Sequence, residues 1–390
     1  MRTDTKTEGG SRAAPASCRI EPVCGAGDRM KFVRFGRELY NADPHFRCLP
    51  DLLVWDQLRP GGNPWFEHGH AQLFVARRGD EIVGRISAQV DEEHLRAHDD
   101  GAGFFGFFEC INDPDVAHRL LRAAEDWCRA RGMERIRGPF SFSINEQSGL
   151  LVEGFDSPNY VMMPHGQPFY ERLIRSAGYD GVQDLFAWRY RAKPMPEQVI
   201  QIADAVAEHP GLVVREVDKS EVDRDLKIIM SIFNDAWSEN WGFVPLTPAE
   251  VEEVAKQFKL IVDPALCLIA EVDGEPAAMA VALPNVHEAT ADLDGRLFPF
   301  GWAKLIARLK ASPPRSFRQV LLGVKKKYRG STLGGLSVLL YATIHRNGYT
   351  KGYREAELSW TLADNDAING GMEFMGAQHY KTYRILEKPL

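Results

Sequence analysis

Apolar and polar positions along this chain fall into two series that run in the same order. In QLFVARRGDEIVGRISAQV (72–90) two apolar runs flank a Gly-Asp pair, the pattern of a β-hairpin. CLIAEVDGEPAAMAVAL (267–283) repeats it, with Ala76 answering Ala270 and Glu81 answering Glu275. FFGFFECI (104–111) reads as a strand. It is followed by VAHRLLRAAEDWCRARG (116–132), which places Val116, Leu120, Leu121, Ala124, Trp127 and Cys128 on one helical face and stops at Gly132. RQVLLGV (318–324) and LGGLSVLLYATIHRNG (333–348) answer them, with Gly348 closing the helix. Each series then continues with a strand (133–140; 353–360), a helix ending at Gly178 or Gly376, and a last strand (183–190; 378–386). The pattern predicts two copies of one mixed α/β unit, over 29–195 and 196–390. The boundary falls near AKPMPEQ (192–198), where proline and charge interrupt it. Residues 1–28, rich in Gly, Ala, Ser and Thr and lacking an apolar run, read as a disordered leader.

Length agrees with two units, since 390 residues exceed what one hydrophobic core usually serves, and an apolar fraction of 44% can fill both. A net charge of −7 and a pI near 5.9 argue against general nucleic-acid binding. The six cysteines, at 18, 24, 48, 110, 128 and 267, form no CxxC pair and have no histidine at metal-ligand spacing. Free thiols in a reducing cytosol and no metal site are expected. No apolar run reaches the roughly 18 residues a membrane span needs.

The candidate chemistry begins at VKKKYRGSTLGG (324–335), which reads as a strand, a glycine-rich turn and a helix opening near Ser331. Unpaired amides and the positive end of the helix dipole would suit a pyrophosphate there. Gly330, Gly334 and Gly335 would let it approach, and Arg329 with Lys325, Lys326 and Lys327 would supply charge. An ordinary strand-to-helix turn with a solvated basic cluster fits the same residues. The first series has NDPDVA (112–117) at this place, and Asp113 and Asp115 would repel a pyrophosphate.

RGSTLG (329–334) resembles the [Q/R]xxGx[G/A] signature of the GNAT superfamily of N-acyltransferases: Arg329 and Gly334 match, and Thr332 stands where the middle glycine would be. Asn365 and Gly376 fit a second mark, an Asn opening the next helix with a Gly eleven residues on. The tyrosine acid of many members falls on Met372. The resemblance covers 211–390 and, in degenerate form, 30–190. GRISAQVDEEH (84–94), SINEQSGLLVEGFD (143–156), FNDAWSENWGFVPLT (233–247), ELSWTLADN (357–365) and YKTYRILEK (380–388) are similar to a bacterial group of tandem GNAT-like proteins that includes the ceramide synthases. This implies two GNAT-like units, each a mixed, largely antiparallel sheet flanked by helices. It also implies acyl transfer from coenzyme A, or from an acyl carrier protein, to the amine of a sphingoid base. Gly323, Val324, Arg329, Gly330, Ser331, Thr332, Gly334, Gly335 and Asn365 would then bind acyl-CoA, with the Val324 amide, or one beside it, facing the thioester oxygen.

An amine must lose a proton to attack a thioester. Glu357 is the preferred base, with a strand carboxylate or an ion-pair partner as its other reading; His287 is second, and Tyr383 could replace the acid missing at Met372. Asn234, Trp237 and Trp241 share a face if helical and could line the acceptor site. Glu109, Asn145, Glu146 and Asp156 form a polar set that could build an acceptor pocket between the units. In 297–318, Phe298, Phe300, Trp302, Leu305, Ile306 and Leu309 stand beside Lys304, Arg308, Lys310, Arg315 and Arg318 without an acid. This suits an anionic membrane surface, or a helix covering the sheet. The leading expectation is a cytoplasmic ceramide synthase-like enzyme in reversible contact with the inner membrane. A GNAT enzyme acting on a small or protein amine and a non-catalytic acyl-CoA or lipid-binding protein remain as alternatives.

Overall fold

Both hairpins form, and each anchors a run of strands and helices in one sheet. The computed structural model describes residues 17–296, 299–330 and 333–390, without the side chains of 309 and 310. The expectations on Phe298, Leu309, Lys310, Ser331 and Thr332 therefore lie outside the described residues.

The first unit comprises β1 (Cys18–Pro22), α1 (Ala26–Glu38), α2 (Asp51–Gln57), β2 (Gly69–Arg78), β3 (Glu81–Asp91), α3 (Glu92–His98), β4 (Ala102–Cys110), α4 (Pro114–Arg129), β5 (Arg135–Gly138), β6 (Leu150–Glu153), α5 (Tyr170–Ser176) and β7 (Asp180–Arg191). The second comprises α6 (Glu197–Ala207), β8 (Leu212–Glu216), α7 (Val222–Trp237), α8 (Pro248–Ile261), β9 (Cys267–Val272), β10 (Glu275–Pro284), α9 (His287–Thr290), α10 (Gly301–Ala311), β11 (Ser316–Val324), α11 (Leu336–Lys351), β12 (Glu355–Leu362), α12 (Asp366–Phe374) and β13 (Gln378–Pro389). β1 lies within the expected leader and pairs with β2, Ile20 opposite Ala76, so order begins at least ten residues earlier than composition suggests. Helix α4 buries Val116, Leu120, Leu121, Ala124 and Cys128 completely against the sheet. Each such leucine contributes about 1.5–3 kcal/mol. α11 runs past Gly348 and ends at Gly352 in the left-handed region, because Gly348 packs beneath Phe317 and Leu266 while Gly352 supplies the positive φ.

The sheet does not stop at the boundary between the units. Its order is β1-β2-β3-β4-β5-β13-β7-β12-β11-β10-β9-β8, with β6 also on β13. The C-terminal strand β13 lies between β5 and β7 of the first unit, Leu386 opposite Gly138 and Thr382 opposite Phe186. In return β7 pairs with β12 of the second unit, Glu357 opposite Arg189. Each unit is thus completed by the other's last strand. Within each, β4 and β5, or β11 and β12, form the parallel pair and the other neighbours are antiparallel. Helices cover both faces, α6 and α11 on one side of the second unit and α7 and α8 on the other.

A second tie joins the units at His68, after the 3-10 turn Pro64–Glu67. Its Nδ1 meets Asp91 at 3.1 Å and its Nε2 lies 3.4 Å from Glu250 on α8. Burial opposes the charge, but the two carboxylates outweigh it and raise the imidazole pKa to about 10.

Because the exchanged strand leaves β5 without its neighbour, residues 17–195 alone should fail to give a cooperative thermal transition, whereas co-expression with 196–390 should yield a complex. A cooperatively folded 17–195 fragment would contradict this. For His68 the folded pKa lies above the ordinary value near 6.5, so its contribution is complete below that pH and disappears as pH rises through about 10. His68→Gln should lower Tm most near pH 6 and progressively less toward pH 10; a deficit that grows with pH would exclude a charged His68.

Candidate active site

β11 and β12 pair only over Ser316–Gln319 with Glu355–Leu358, and beyond that they part to form a wedge running up to Val324 and Leu362. Arg318 and Glu357 face each other at its apex, 3.8 Å apart, and Glu357 has no solvent exposure. Glu357 accepts from the Ser359 hydroxyl at 2.7 Å and from the Tyr380 hydroxyl. The Arg318 guanidinium donates to Ser359 Oγ at 2.9 Å, to the Ser359 carbonyl and to the Val161 carbonyl. A register shift between His379 and Lys381 in β13 swings Tyr380 toward this group. Lys381, also fully buried, donates to the Ser157 carbonyl at 2.8 Å, and burial pushes its pKa down to about 8. Burial and the nearby Glu357 charge hold the Tyr380 proton far above the usual phenol range. Tyr383 is buried beside them, its hydroxyl without a hydrogen-bond partner among the described residues.

Of this cluster, sequence reasoning had named Glu357 and Tyr383 for chemistry and missed Arg318, Ser359, Tyr380 and Lys381. A charge inside the apolar run RQVLLGV was the available signal. The structure also limits Glu357. It pairs with Arg318, six residues before Val324, about 20 Å along the strand. An enclosed carboxylate at that separation does not directly take a proton from an amine attacking a thioester held at the Val324 amide.

The upper end of the wedge gathers Gly323, Val324, Trp237 and Arg329. Trp237 lies on Gly323, where a Cβ would come within 2.4 Å of the ring. Arg329 donates to the carbonyls of Val324 and Ala236, at 2.9 and 2.8 Å. Lys326 pairs with Glu239 and Lys327 with Glu275, so much of the expected basic cluster is engaged with protein. Gly330 has φ +74°, a value that glycine adopts freely. The helix opens at Leu336 rather than near Ser331. Gly335 has a packing reason of its own: a Cβ there would come within 2.8 Å of Val206 on α6. Asn365 caps α12 by accepting from the Ile368 amide. In the first unit Asp113 occupies the equivalent helix start, accepting from the Asp115 amide and pairing with Arg78 at 2.6 Å. The wedge there is closed by its own chain, since the Phe140 amide donates to Phe105 and its carbonyl accepts from Gln89.

Other expected residues fall elsewhere. α7 ends at Trp237, so Asn234, exposed three residues earlier, keeps its place beside Trp237 on the helix, whereas Trp241 lies beyond the helix end and packs against the buried cluster of Phe104, Phe140 and Tyr383. The first-unit polar set is also dispersed. Asn145 bonds the Val244 carbonyl, Glu146 accepts from Gln57 and Asn63, and Asp156 is exposed. Glu109 alone of the four, together with His287, lines a cavity of about 140 Å³. Phe300 at the N-cap of α10, and Trp302 and Ile306 on it, are 78%, 51% and 47% exposed. Asp292, outside the segment judged free of acid, pairs with both Lys304 and Arg308, while Arg318 is buried at the apex. The basic character of that face is therefore weaker than the sequence alone suggests. Among the described residues no helix is long and apolar enough to cross a membrane.

Comparison with known proteins completes the picture. No family model matches the sequence. The chain is 41% identical over 377 residues to the bacterial ceramide synthase of Caulobacter vibrioides, covering 96% of this chain and 98% of that protein. It is 39% identical over 375 residues to protein YghO of Escherichia coli, covering 95% of each. Among solved structures, a tandem GNAT protein from the clavulanic acid biosynthesis pathway superposes with a TM-score of 0.56 at 12% identity, over 96% of this chain and 98% of the other. A GCN5-related N-acetyltransferase from Sphaerobacter thermophilus gives 0.54 at 13%, over 95% of each. These two likenesses establish the fold.

Proposed function

We propose, given that this chain belongs to the bacterial ceramide synthase family of tandem GNAT proteins, that its acceptor is the amine of a long-chain sphingoid base and its donor an acyl-CoA. The chain is an N-acyltransferase, and the GNAT fold implies acyl-CoA as co-substrate. The observation that carries the finer reading is the identity spread over nearly the full length of both chains, including both halves of the exchanged sheet.

In this reading the pantetheine arm enters the wedge between β11 and β12. The neutral amine nitrogen attacks the thioester carbon, the carbon–sulfur bond breaks, and the amine proton leaves as the thiol of coenzyme A forms. The Val324 amide, or one beside it, would face the developing oxyanion. Tyr380, whose hydroxyl sits on Glu357 at the buried apex and is as far as that carboxylate from a thioester at Val324, is given a positioning role: it holds the strands where β11 and β12 part. Glu357, locked by Ser359 and Arg318, positions its hydroxyl.

The test offers purified protein a series of acyl-CoA chain lengths, each with 3-ketosphinganine, sphinganine, spermidine or glycine, with thiol release and product mass followed together. N-acylated sphingoid product is expected. Release with spermidine or glycine alone would move the acceptor to small amines, and acyl-CoA binding without release would leave a non-catalytic binder. In the same assay Tyr380→Phe, which loosens the apex that sets the parting of β11 and β12, should lower kcat by about tenfold or more while leaving KM for acyl-CoA unchanged. Unchanged kcat would remove Tyr380 and, with it, the role given to Glu357.

Reversible contact with an anionic membrane surface through the exposed apolar side of α10 belongs to the same proposal. Trp302 and Ile306 would enter the interface and Lys304 would face the headgroups. Trp302→Ala with Lys304→Glu should reduce co-sedimentation with anionic vesicles; sedimentation equal to that of the parent protein would refute the contact.

A further inference from the structure

The first unit carries a cavity that the acyl-transfer reading does not use. About 140 Å³ in volume, it holds the space of roughly four or five waters. It lies where β4 ends, at Glu109, and is closed from the second unit by His287 at the start of α9. This is not the upper end of the wedge. Asn285, two residues before His287, bonds Ser316 at the first residue of β11, eight residues from Val324 and about 26 Å along the strand.

Several polar atoms on its walls have no partner among the described residues. His287 is 3% exposed; its Nδ1 faces the Asn159 carbonyl at 3.3 Å, and a carbonyl only accepts, so the proton sits on Nδ1 and Nε2 keeps its lone pair. His165, its side chain 1% exposed, places Nε2 at 2.8 Å from the Asp43 carboxylate, which likewise leaves the Nδ1 lone pair free. Among the described residues neither His287 Nε2, His165 Nδ1 nor Arg85 Nε finds a hydrogen-bond partner. Burial lowers both imidazole pKa values, that of His287 to about 4, so both rings are neutral acceptors at physiological pH. Glu109 accepts from Tyr40 at 2.5 Å and from Tyr170 at 2.7 Å, and stands 3.9 Å from Arg85. The remaining cations on the wall are engaged, Arg37 with Asp51 and Arg47 with the Pro44 and Phe46 carbonyls. Leaving several buried polar atoms unmet is costly unless something meets them.

We infer that this cavity is a second binding site, taking a small amino alcohol whose N–H and O–H groups donate to His287 Nε2, His165 Nδ1 and Glu109 and whose oxygen accepts from Arg85. Two imidazole lone pairs and a carboxyl group call for a donor-rich ligand, and the unpartnered Arg85 Nε–H calls for an acceptor. An amino alcohol of six or so heavy atoms meets both demands at about this volume. The same chemistry is offered by a free short amino alcohol and by the head of a long-chain one.

The test is calorimetric titration of the full chain with 2-amino-1,3-propanediol, 1,3-propanediol and acetate, with and without saturating coenzyme A. Binding of the amino alcohol in preference to the other two is expected, weakened about tenfold or more in both His287→Phe and His165→Phe, and unchanged by coenzyme A. Circular dichroism and Tm of the variants verify folding, and Glu109→Gln, which keeps the shape of the wall, should also weaken binding. Competition by sphinganine would assign the site to a long-chain head group, and its absence to a free amino alcohol; either supports the inference. No binding of the amino alcohol, binding untouched by all three substitutions, or displacement by coenzyme A would overturn it. Because no acyl transfer is measured, these outcomes are independent of whether the acylation assay succeeds.

Discussion

The exchange of last strands between the units is the constraint on which the rest depends. Backbone hydrogen bonds of β13 to β5 on one side and β7 on the other, and of β7 to β12, make the middle of the sheet a structure that neither half contains alone. A central strand without a neighbour would expose a row of unmet amides and carbonyls. The two units therefore hold one another, and the residues at their seam are fixed from both sides.

That seam is also where the chain concentrates its buried polarity. Arg318 and Glu357 come from β11 and β12, Tyr380, Lys381 and Tyr383 from β13, and the carbonyls of Ser157 and Val161 from the long connection after β6. Two cations and one carboxylate removed from water cost several kcal/mol each unless hydrogen bonds replace hydration. Here Ser359, Tyr380 and the two carbonyls do so. Such a network would be lost by a small shift of β13, so its geometry depends on the exchanged strand.

The two units have diverged at equivalent places for identifiable reasons. In the second, β11 and β12 part and a glycine at positive φ precedes α11. In the first, Phe140 takes the backbone positions at the parting of β4 and β5, and Asp113 supplies the negative group at the start of α4. The first unit thus satisfies its own wedge and its own helix dipole from within the chain. What the first unit keeps is the space beside Glu109, with the imidazoles of His165 and His287 around it.

How far the sequence reaches follows from the range of the interactions. Hairpins, the amphipathic face of α4, the turn before α11 and the doubled order of elements depend on neighbours within about a dozen residues, and they were legible in periodicity, glycines and motif spacing. The family resemblance was legible for the same reason, as short segments such as RGSTLG and ELSWTLADN. Partnerships between separate elements were not. Leu386 opposite Gly138, Tyr380 on Glu357, Asp292 neutralising the α10 cations and Gly335 yielding to α6 leave no local signature, since any strand or charge of the right kind could have served. Sequence determined which elements form and to which family they belong. Only the tertiary structure decided which strand completes which unit and which of the candidate residues meet, because those choices are made by hydrogen-bond satisfaction and burial across the whole sheet.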